Sequence, residues 1–321
     1  MKQRYKRYII IFMALAFCFA FAACGNKAED NTSATTSDNQ LTAVATLFPQ
    51  YDFARIVGGD KVEVIKLLPN GVESHSYEPA PNDVVTINEA DFFIYTGSAM
   101  EPWAATIIDG VNSDNLTVVD VSQNVPLLEE GSGGHHMEGE TDHGHYGVDP
   151  HIWTDPTRAM IMVDNIAAAF AAQDPQNADY YQGNAAAYKE KLTALDGEIQ
   201  EIVASGQRQK IIFGGRFAFA YFCQHYGLDH DAAYDSCAEG GEPSARKVAA
   251  LMDEIKNEGI PVIYYEELRQ PTVAQSIADD TGAEMLLLHS CHNVTDAEIE
   301  EGVSYLSLMQ QNAANLKKGL N

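Results

Sequence analysis

Two runs of alternating strand and helix patterns, separated by one long helical stretch, constrain the fold of this chain more than any other feature. Short apolar segments in the first run have strand character: Leu41 to Leu47, Val62 to Leu68, Phe92 to Tyr95 and Leu116 to Val121. A second run extends from Lys210 to the C-terminus. Such alternation predicts an α/β fold of two lobes, each with a mostly parallel sheet and flanking helices.

The stretch between the two runs carries one apolar stripe. Its members recur at alternating spacings of four and three residues: Tyr181, Ala185, Tyr188, Leu192, Leu195, Ile199 and Ile202. This spacing predicts a connecting helix over 174–205, about 45 Å long at about 1.5 Å per residue. The helix would join an N-terminal lobe, 41–173, to a C-terminal lobe, 206–321. A coiled-coil dimerisation helix is less favoured because the heptad pattern lasts only about three and a half repeats, so we expect a monomer.

The first 23 residues resemble a lipoprotein signal peptide. A basic start precedes an apolar run, Ile9 to Ala23, that is too short for a comfortable membrane span. The run ends in Ala22-Ala23-Cys24-Gly25, which resembles a bacterial lipobox although Phe21 replaces the usual Leu. We therefore expect lipidation of Cys24, a lipid anchor in the cell membrane, and a body that faces the extracytoplasmic side. Ordinary secretion with an idle Cys24 is the alternative.

Residues 24–40 contain no aliphatic side chain larger than Ala, so they cannot bury enough surface to fold and are expected to form a flexible tether. The whole chain has 46 acidic and 20 basic residues, a net charge of −26. Such a field repels nucleic acid and attracts cations. The negative charge is explained equally well by a role in keeping a secreted protein soluble. With either explanation, a nucleic-acid partner is not expected.

Most of the ten histidines lie in one region. His75 follows the second predicted strand in the motif HSYEP, and His151 follows the fourth in DPHIWTDP. Ligands on parallel sheets collect at the carboxyl ends of strands, so both histidines are predicted to lie at one site. Between them, the loop 131–146 carries a further group, which predicts either weak, exchangeable zinc sites or a plain solvated loop: His135, His136, His143 and His145.

Taken together, these motifs resemble the zinc and manganese solute-binding lipoproteins of bacterial ABC transporters, the ZnuA/TroA-like group. The resemblance covers nearly the whole mature chain and includes HSYEP, the His-rich insertion, DPHIWTDP and the helix start at Glu242-Pro243-Ser244. It implies a metal ion bound between the lobes and delivered to an ABC permease membrane subunit with its ATPase. It also implies two histidine ligands from the N-terminal lobe and two ligands from the C-terminal lobe.

Carried over residue by residue, the resemblance assigns His75 and His151 to the metal. Arg216 stands where the family has a His or Glu, and a guanidinium group has no lone pair to give a metal. His289, after the last strand, is the predicted third ligand, with His292 as the alternative because the loop length is uncertain. Water, an anion or a nearby carboxylate would occupy the fourth coordination position of the metal. Arg216 would instead pair with a carboxylate of the neighbouring strand, Glu266 or Glu267.

Three neutral imidazoles suit Zn²⁺ better than Mn²⁺, which prefers oxygen ligands, so Zn²⁺ is the expected transported substrate. The sequence contains no HExxH, GxSxG or GxxxxGK[ST] motif, which argues against an enzyme. A zinc hydrolase nevertheless stays open, because three histidines with an open position also describe a hydrolytic site. The sequence is also compatible with a manganese-binding homologue and with a metal-dependent surface adhesin.

Three cysteines, Cys223, Cys237 and Cys291, remain after Cys24. In an oxidising compartment two of them can pair. A Cys237–Cys291 disulfide is predicted, because both residues fall on predicted loops whereas Cys223 falls in a helix. Zinc thiolates are the less favoured alternative, since no CxxC spacing is present.

Overall fold

A computed structural model describes residues 40–111, 115–129, 147–234 and 242–321. The chain divides into two units, Met1–Asn39 and Gln40–Asn321, and the described elements belong to the second. The predicted α/β fold class is confirmed by two four-stranded parallel sheets with flanking helices. The signal peptide, Cys24, most of the tether and the His-rich loop lie outside the described residues.

The first sheet forms the N-terminal lobe and has the strand order β2-β1-β3-β4, with every pairing parallel. Its central strands are buried on both faces, which is why they consist almost entirely of apolar residues. The strands are β1 Leu41–Ala45, β2 Val62–Lys66, β3 Phe92–Tyr95 and β4 Thr117–Asp120. The helices that accompany them are α1 Phe48–Gly58, α2 Pro81–Glu89 and α3 Ala104–Gly110.

The second sheet forms the C-terminal lobe and has the equivalent order, β6-β5-β7-β8, again parallel throughout. Its strands are β5 Lys210–Arg216, β6 Asp229–Tyr234, β7 Val262–Tyr265 and β8 Glu284–Leu287. Two helices lie between the two sheets in sequence, α4 Pro156–Gln173 and α5 Ala178–Ser205. The remaining helices are α6 Ala220–Tyr226, α7 Ala245–Glu258, α8 Thr272–Thr281, α9 Asp296–Glu300 and α10 Tyr305–Leu320.

The long helix α5 buries every member of the predicted apolar stripe. It begins at Ala178, later than predicted, because Pro175–Asn177 form a separate 3₁₀ turn. The Asp174 carboxylate, which precedes this turn, accepts hydrogen bonds from the Asn177 amide at 2.6 Å and the Tyr181 hydroxyl at 2.8 Å.

One hydrophobic core extends through both lobes. Phe53 of α1 packs edge-on against Tyr305 of α10, with ring centroids 4.9 Å apart, and against Tyr188 of α5 at 6.0 Å. The backbone N–H of Tyr305 donates to the buried Asp52 carboxylate at 2.9 Å. Lobes that share a buried core and buried polar contacts are held more rigidly than lobes joined only by a linker.

The helical region at the C-terminus is divided in two. Gly302 adopts φ +73° after α9, and the Ser304 hydroxyl caps the start of α10. The last strand, β8, ends at Leu287, and His289 lies in the loop that follows it. No helix in the described part of the chain is both long enough and apolar enough to span a membrane.

Candidate metal site

Three histidines from separate segments converge where the lobes meet. His75 comes from the loop after β2, His151 from the segment that precedes α4, and His292 from the loop after β8. One ligand nitrogen from each lies within 4.8 Å of the others. The Nε2 atoms of His75 and His151 are 3.3 Å apart, and the His292 ring centroid lies 4.8 Å from that of His151 and 5.1 Å from that of His75. This arrangement surrounds a space of the size that one metal ion requires.

His75 is half-buried, and its loop is held by Glu73, whose carboxylate accepts the backbone N–H of His75 at 3.2 Å. Burial lowers the pKa of His75, and together with the nearby His151 and the cationic Arg216 it brings the pKa to about 3. The imidazole is therefore neutral at physiological pH, which is the state that binds a metal.

His151 is positioned by a carboxylate two residues before it. The Asp149 Oδ1 atom accepts the Nδ1–H of His151 at 2.7 Å and its backbone N–H at 2.9 Å. Tyr221 of the other lobe fixes the same loop, since its hydroxyl donates to the carbonyl oxygen of Asp149 at 2.7 Å. Burial opposes ionisation of Asp149, but the contacts with His151 outweigh it and hold the pKa of the carboxyl below its ordinary value. Because Nδ1–H donates to a carboxylate, Nε2 is the ring nitrogen that can coordinate a metal.

His292 has a different support. Its Nδ1 contacts the hydroxyl of Ser290, which also bonds to the Glu267 carboxylate at 2.5 Å. His292 Nε2 is buried and has no hydrogen-bond partner among the described residues. Burial, with the imidazoles of His151 and His75 next to it, holds the pKa of His292 well below its usual value. A buried neutral nitrogen without a partner, aimed at two other imidazoles, is a ready metal ligand.

The structure brings His292, the alternative, to the cluster and places His289, the predicted third ligand, elsewhere. His289 is fully buried in the C-terminal lobe, where its Nδ1 accepts the backbone N–H of Cys291 at 2.9 Å. Its Nε2 lies 3.5 Å from the Glu298 carboxylate. The backbone N–H of His289 donates to the side-chain oxygen of Asn312, and the backbone carbonyl of His289 accepts from the side-chain N–H of Asn312. Both ring nitrogens thus face groups other than the cluster, and the loop changes direction at Cys291, whose φ is +63°.

The predicted disulfide concerns Cys237 and Cys291, of which only Cys291 is described. Cys291 is a free thiol with no exposed surface, and Cys237 lies outside the described residues. The prediction placed Cys291 on a loop, and in the structure the core closes over that loop. Cys223 is also free and buried, and burial raises the pKa of both thiols.

Three groups that orient the ligands were not predicted in that role. Asp149 stands within the motif DPHIWTDP, and a carboxylate two residues before a candidate ligand is a signal that could have identified it. Ser290 precedes His292 by two residues in the same way. Glu267 had no local signal, since it reaches Ser290 from the loop after β7. The loop histidines at 131–146 lie outside the described residues, so their auxiliary role remains a prediction.

Comparison with known proteins identifies the family of this chain. The family described as zinc-uptake complex component A, periplasmic (ZnuA), matches residues 43–319. The chain belongs to the ZnuA family. This assignment places it among solute-binding components of zinc uptake, a class of transport proteins, and among extracytoplasmic components.

Individual ZnuA-family relatives align over nearly the full chain. The high-affinity zinc uptake system protein ZnuA of Bacillus subtilis is 32% identical over 317 residues, which cover 98% of each chain. The solved structure of the metal-dependent lipoprotein YcdH from Bacillus subtilis has a TM-score of 0.75 and 31% identity over 87% of this chain and 99% of that one. The Zn(II)-bound ZnuA-like domain of Streptococcus pneumoniae AdcA has a TM-score of 0.74 and 30% identity, over 88% and 99%.

Proposed function

We propose that this protein captures Zn²⁺ between its lobes, with His75, His151 and His292 as ligands, and delivers it to an ABC permease and its ATPase. The convergence of three imidazole nitrogens within 4.8 Å carries the proposal. Neutral imidazole favours Zn²⁺ over the harder Mn²⁺. The relatives named as zinc uptake and Zn(II)-bound proteins support the same metal.

The site supports capture rather than chemistry. His151 and His292 are 4% and 6% exposed, so a bound ion would be largely shielded from solvent. The bound zinc is cargo, and no turnover is expected. We further propose that a signal peptide, 1–23, is removed, that a lipid on Cys24 and a tether, 24–40, attach the body to the membrane, and that the protein acts as a monomer.

Competition titration of the purified protein against a chromophoric chelator tests the proposal. We expect one tight site for Zn²⁺, much weaker binding of Mn²⁺, and a large loss of zinc affinity in His151→Ala. The exposed Gln200→Ala on α5 is the matched control and should bind zinc like the wild type. Tight Mn²⁺ binding that survives His151→Ala would overturn both the metal and the ligand set.

A further inference from the structure

His75 lacks the side-chain support that the other two candidate ligands have. His151 donates to Asp149, two residues before it. His292 contacts Ser290, also two residues before it. Among the described residues, the only side chain within hydrogen-bond distance of the His75 ring is that of His151, at 3.3 Å. The position of His75 therefore depends on how the backbone of its loop is held.

The loop that leads to this histidine is held by Asn293, a residue of the loop after β8 with no exposed surface. Its Nδ2 donates to the carbonyl oxygen of Pro69 at 2.7 Å and to that of Val72 at 2.9 Å. Its Oδ1 accepts from the backbone N–H of Val294 at 2.9 Å and from Lys66 Nζ at 2.5 Å. The amide thus uses both of its N–H donors and both lone pairs of its oxygen, which fixes its orientation.

A backbone hydrogen bond runs beside these contacts. The Gly71 N–H donates to the carbonyl oxygen of Val294 at 2.9 Å, and Gly71 adopts φ +73°, a conformation that glycine reaches without strain. The ion pair between Glu73 and Arg269 also crosses between the lobes, but its atoms are 3.8 Å apart and partly exposed, so it contributes little. The connection between the two ligand-bearing loops therefore lies mainly in the amide and backbone bonds.

We propose that Asn293 is a positioning residue of the zinc site. It follows His292 directly in the chain, and through its two bonds to backbone carbonyls it holds the loop that places His75. One side chain therefore sets the separation of two candidate ligands that come from different lobes. Its oxygen is already bonded to Lys66, so the amide acts through the loop and is not a ligand. This inference rests on the proposed zinc-capture function.

Removal of the amide would release the loop from the C-terminal lobe. In Asn293→Ala the two loop carbonyls would bond to water instead, and His75 would sample several positions while the other two ligands keep their own supports. In Asn293→Asp the acceptor for Lys66 remains, but a carboxylate has no N–H to donate and would repel both carbonyls. Both variants therefore remove the support of one ligand and leave all three imidazoles in the protein.

Chelator competition at neutral pH gives the first test. We expect Asn293→Ala and Asn293→Asp to bind Zn²⁺ about 10- to 100-fold more weakly than the wild type, the range for groups that orient metal ligands. The matched control is Asn165→Ala on α4, because Asn165 also donates to two backbone carbonyls, those of Val121 and Gln123, both at 2.9 Å. The control should keep the wild-type zinc affinity within a few-fold.

A double-mutant cycle with His75 separates positioning from general stability. In a His75→Ala background, Asn293→Ala should change zinc affinity by less than about threefold, since no ligand is left on the loop to be positioned. At saturation with Co²⁺, the visible bands of Asn293→Ala should move from those of the wild type towards those of His75→Ala. If Asn293→Ala does not fold, Asn293→Ser, which keeps one hydroxyl donor, takes its place in the cycle.

The outcomes are distinguishable. Wild-type zinc affinity in both Asn293 variants, or an equal loss in Asn165→Ala, overturns the positioning role and leaves zinc capture intact. A loss of the same size with and without His75 also overturns it, because the effect would not pass through that ligand. Absence of tight zinc binding in the wild-type protein overturns the proposed function itself.

Discussion

The two lobes support their halves of the candidate site in different ways. In the N-terminal lobe, His151 donates to the carboxylate of Asp149, an ionised partner only two residues away. In the C-terminal lobe, His292 contacts a neutral hydroxyl, Ser290, and the carboxylate of Glu267 acts one step further away. Each histidine is thus supported by a residue two positions before it, but the charged group is that neighbour itself in the N-terminal half and comes from a distant segment, as Glu267, in the C-terminal half. Hydrogen bonds to a charged group are the stronger kind, so we expect the N-terminal lobe to hold its histidine ligand in orientation more firmly than the C-terminal lobe does.

Two histidines of one loop illustrate the same contrast. Nε2 is buried without a hydrogen bond in both His292 and His289, three residues earlier. A ring nitrogen of His292 lies within 4.8 Å of ligand nitrogens of His75 and His151, whereas Nε2 of His289 lies 3.5 Å from the Glu298 carboxylate of its own lobe. Nearness in sequence did not give them similar surroundings. The fold gives one of them a place at the candidate metal site and the other a place in the packing of the C-terminal lobe.

Replacement of the two histidines in turn should have the largest effect. His292→Ala is expected to weaken zinc binding at least about 100-fold, because a zinc-binding free energy of about 10–16 kcal/mol is shared among about four ligands. His289→Gln should change zinc affinity only a few-fold but lower the melting temperature, since it disturbs buried contacts. Chelator competition and thermal unfolding check the pair. The reverse pattern would return the ligand role to His289.

Asp149→Asn tests the charged support of the N-terminal half. Loss of the negative charge next to His151 should weaken zinc binding about 10- to 100-fold, the range seen for partners of metal ligands. The exposed Asp109→Asn on α3 serves as the control. Isothermal titration with a competing chelator gives both values, and an unchanged affinity in Asp149→Asn would mean that the carboxylate does not orient the ligand.

Glu298→Gln tests whether His289 is held by the C-terminal lobe. Contact with His289, together with the N–H of Thr295, lowers the pKa of Glu298 to about 2. Because this pKa is lower in the folded state than in the unfolded state, the ionised Glu298 carboxylate stabilises the fold above about pH 4.5. This contribution is lost as the pH falls towards 2. After allowance for partial exposure, Glu298→Gln should lower the free energy of unfolding by about 2 kcal/mol at pH 7.

Urea unfolding at pH 7 and at low pH measures this difference, which should shrink as the pH falls. Glu300→Gln, on the same short helix but exposed, is the control. A constant difference at both pH values would contradict the role of the ionised carboxylate. Zinc affinity at neutral pH should stay within a few-fold of the wild type.

Ser290→Ala should have the smallest effect. It removes the hydroxyl that links Glu267 to His292, but a neutral partner contributes less than a charged one. We expect zinc affinity to fall by up to about tenfold, the lower end of the range for such partners. Parallel titrations of Ser290→Ala and Asp149→Asn compare the two halves directly, and a larger loss in Ser290→Ala would reverse the proposed order.

The sequence alone determined much of the fold and half of the site. Alternating patterns identified both parallel sheets, and the four-and-three spacing from Tyr181 to Ile202 identified the buried face of α5. His75 and His151 were found because each follows a strand within a compact motif. These features depend on residues close together in the chain, and local periodicity reports on them well.

Only the tertiary structure decided the C-terminal half. The choice between His289 and His292 depends on where β8 ends, on the positive φ of Cys291, and on the hydrogen bonds that Asn312 makes from α10. The free, buried state of Cys291 likewise depends on how the two lobes close around the loop. The physical reason is that a loop's direction is fixed by its packing against distant segments. Neither the residue types in the loop nor their spacing encodes those contacts.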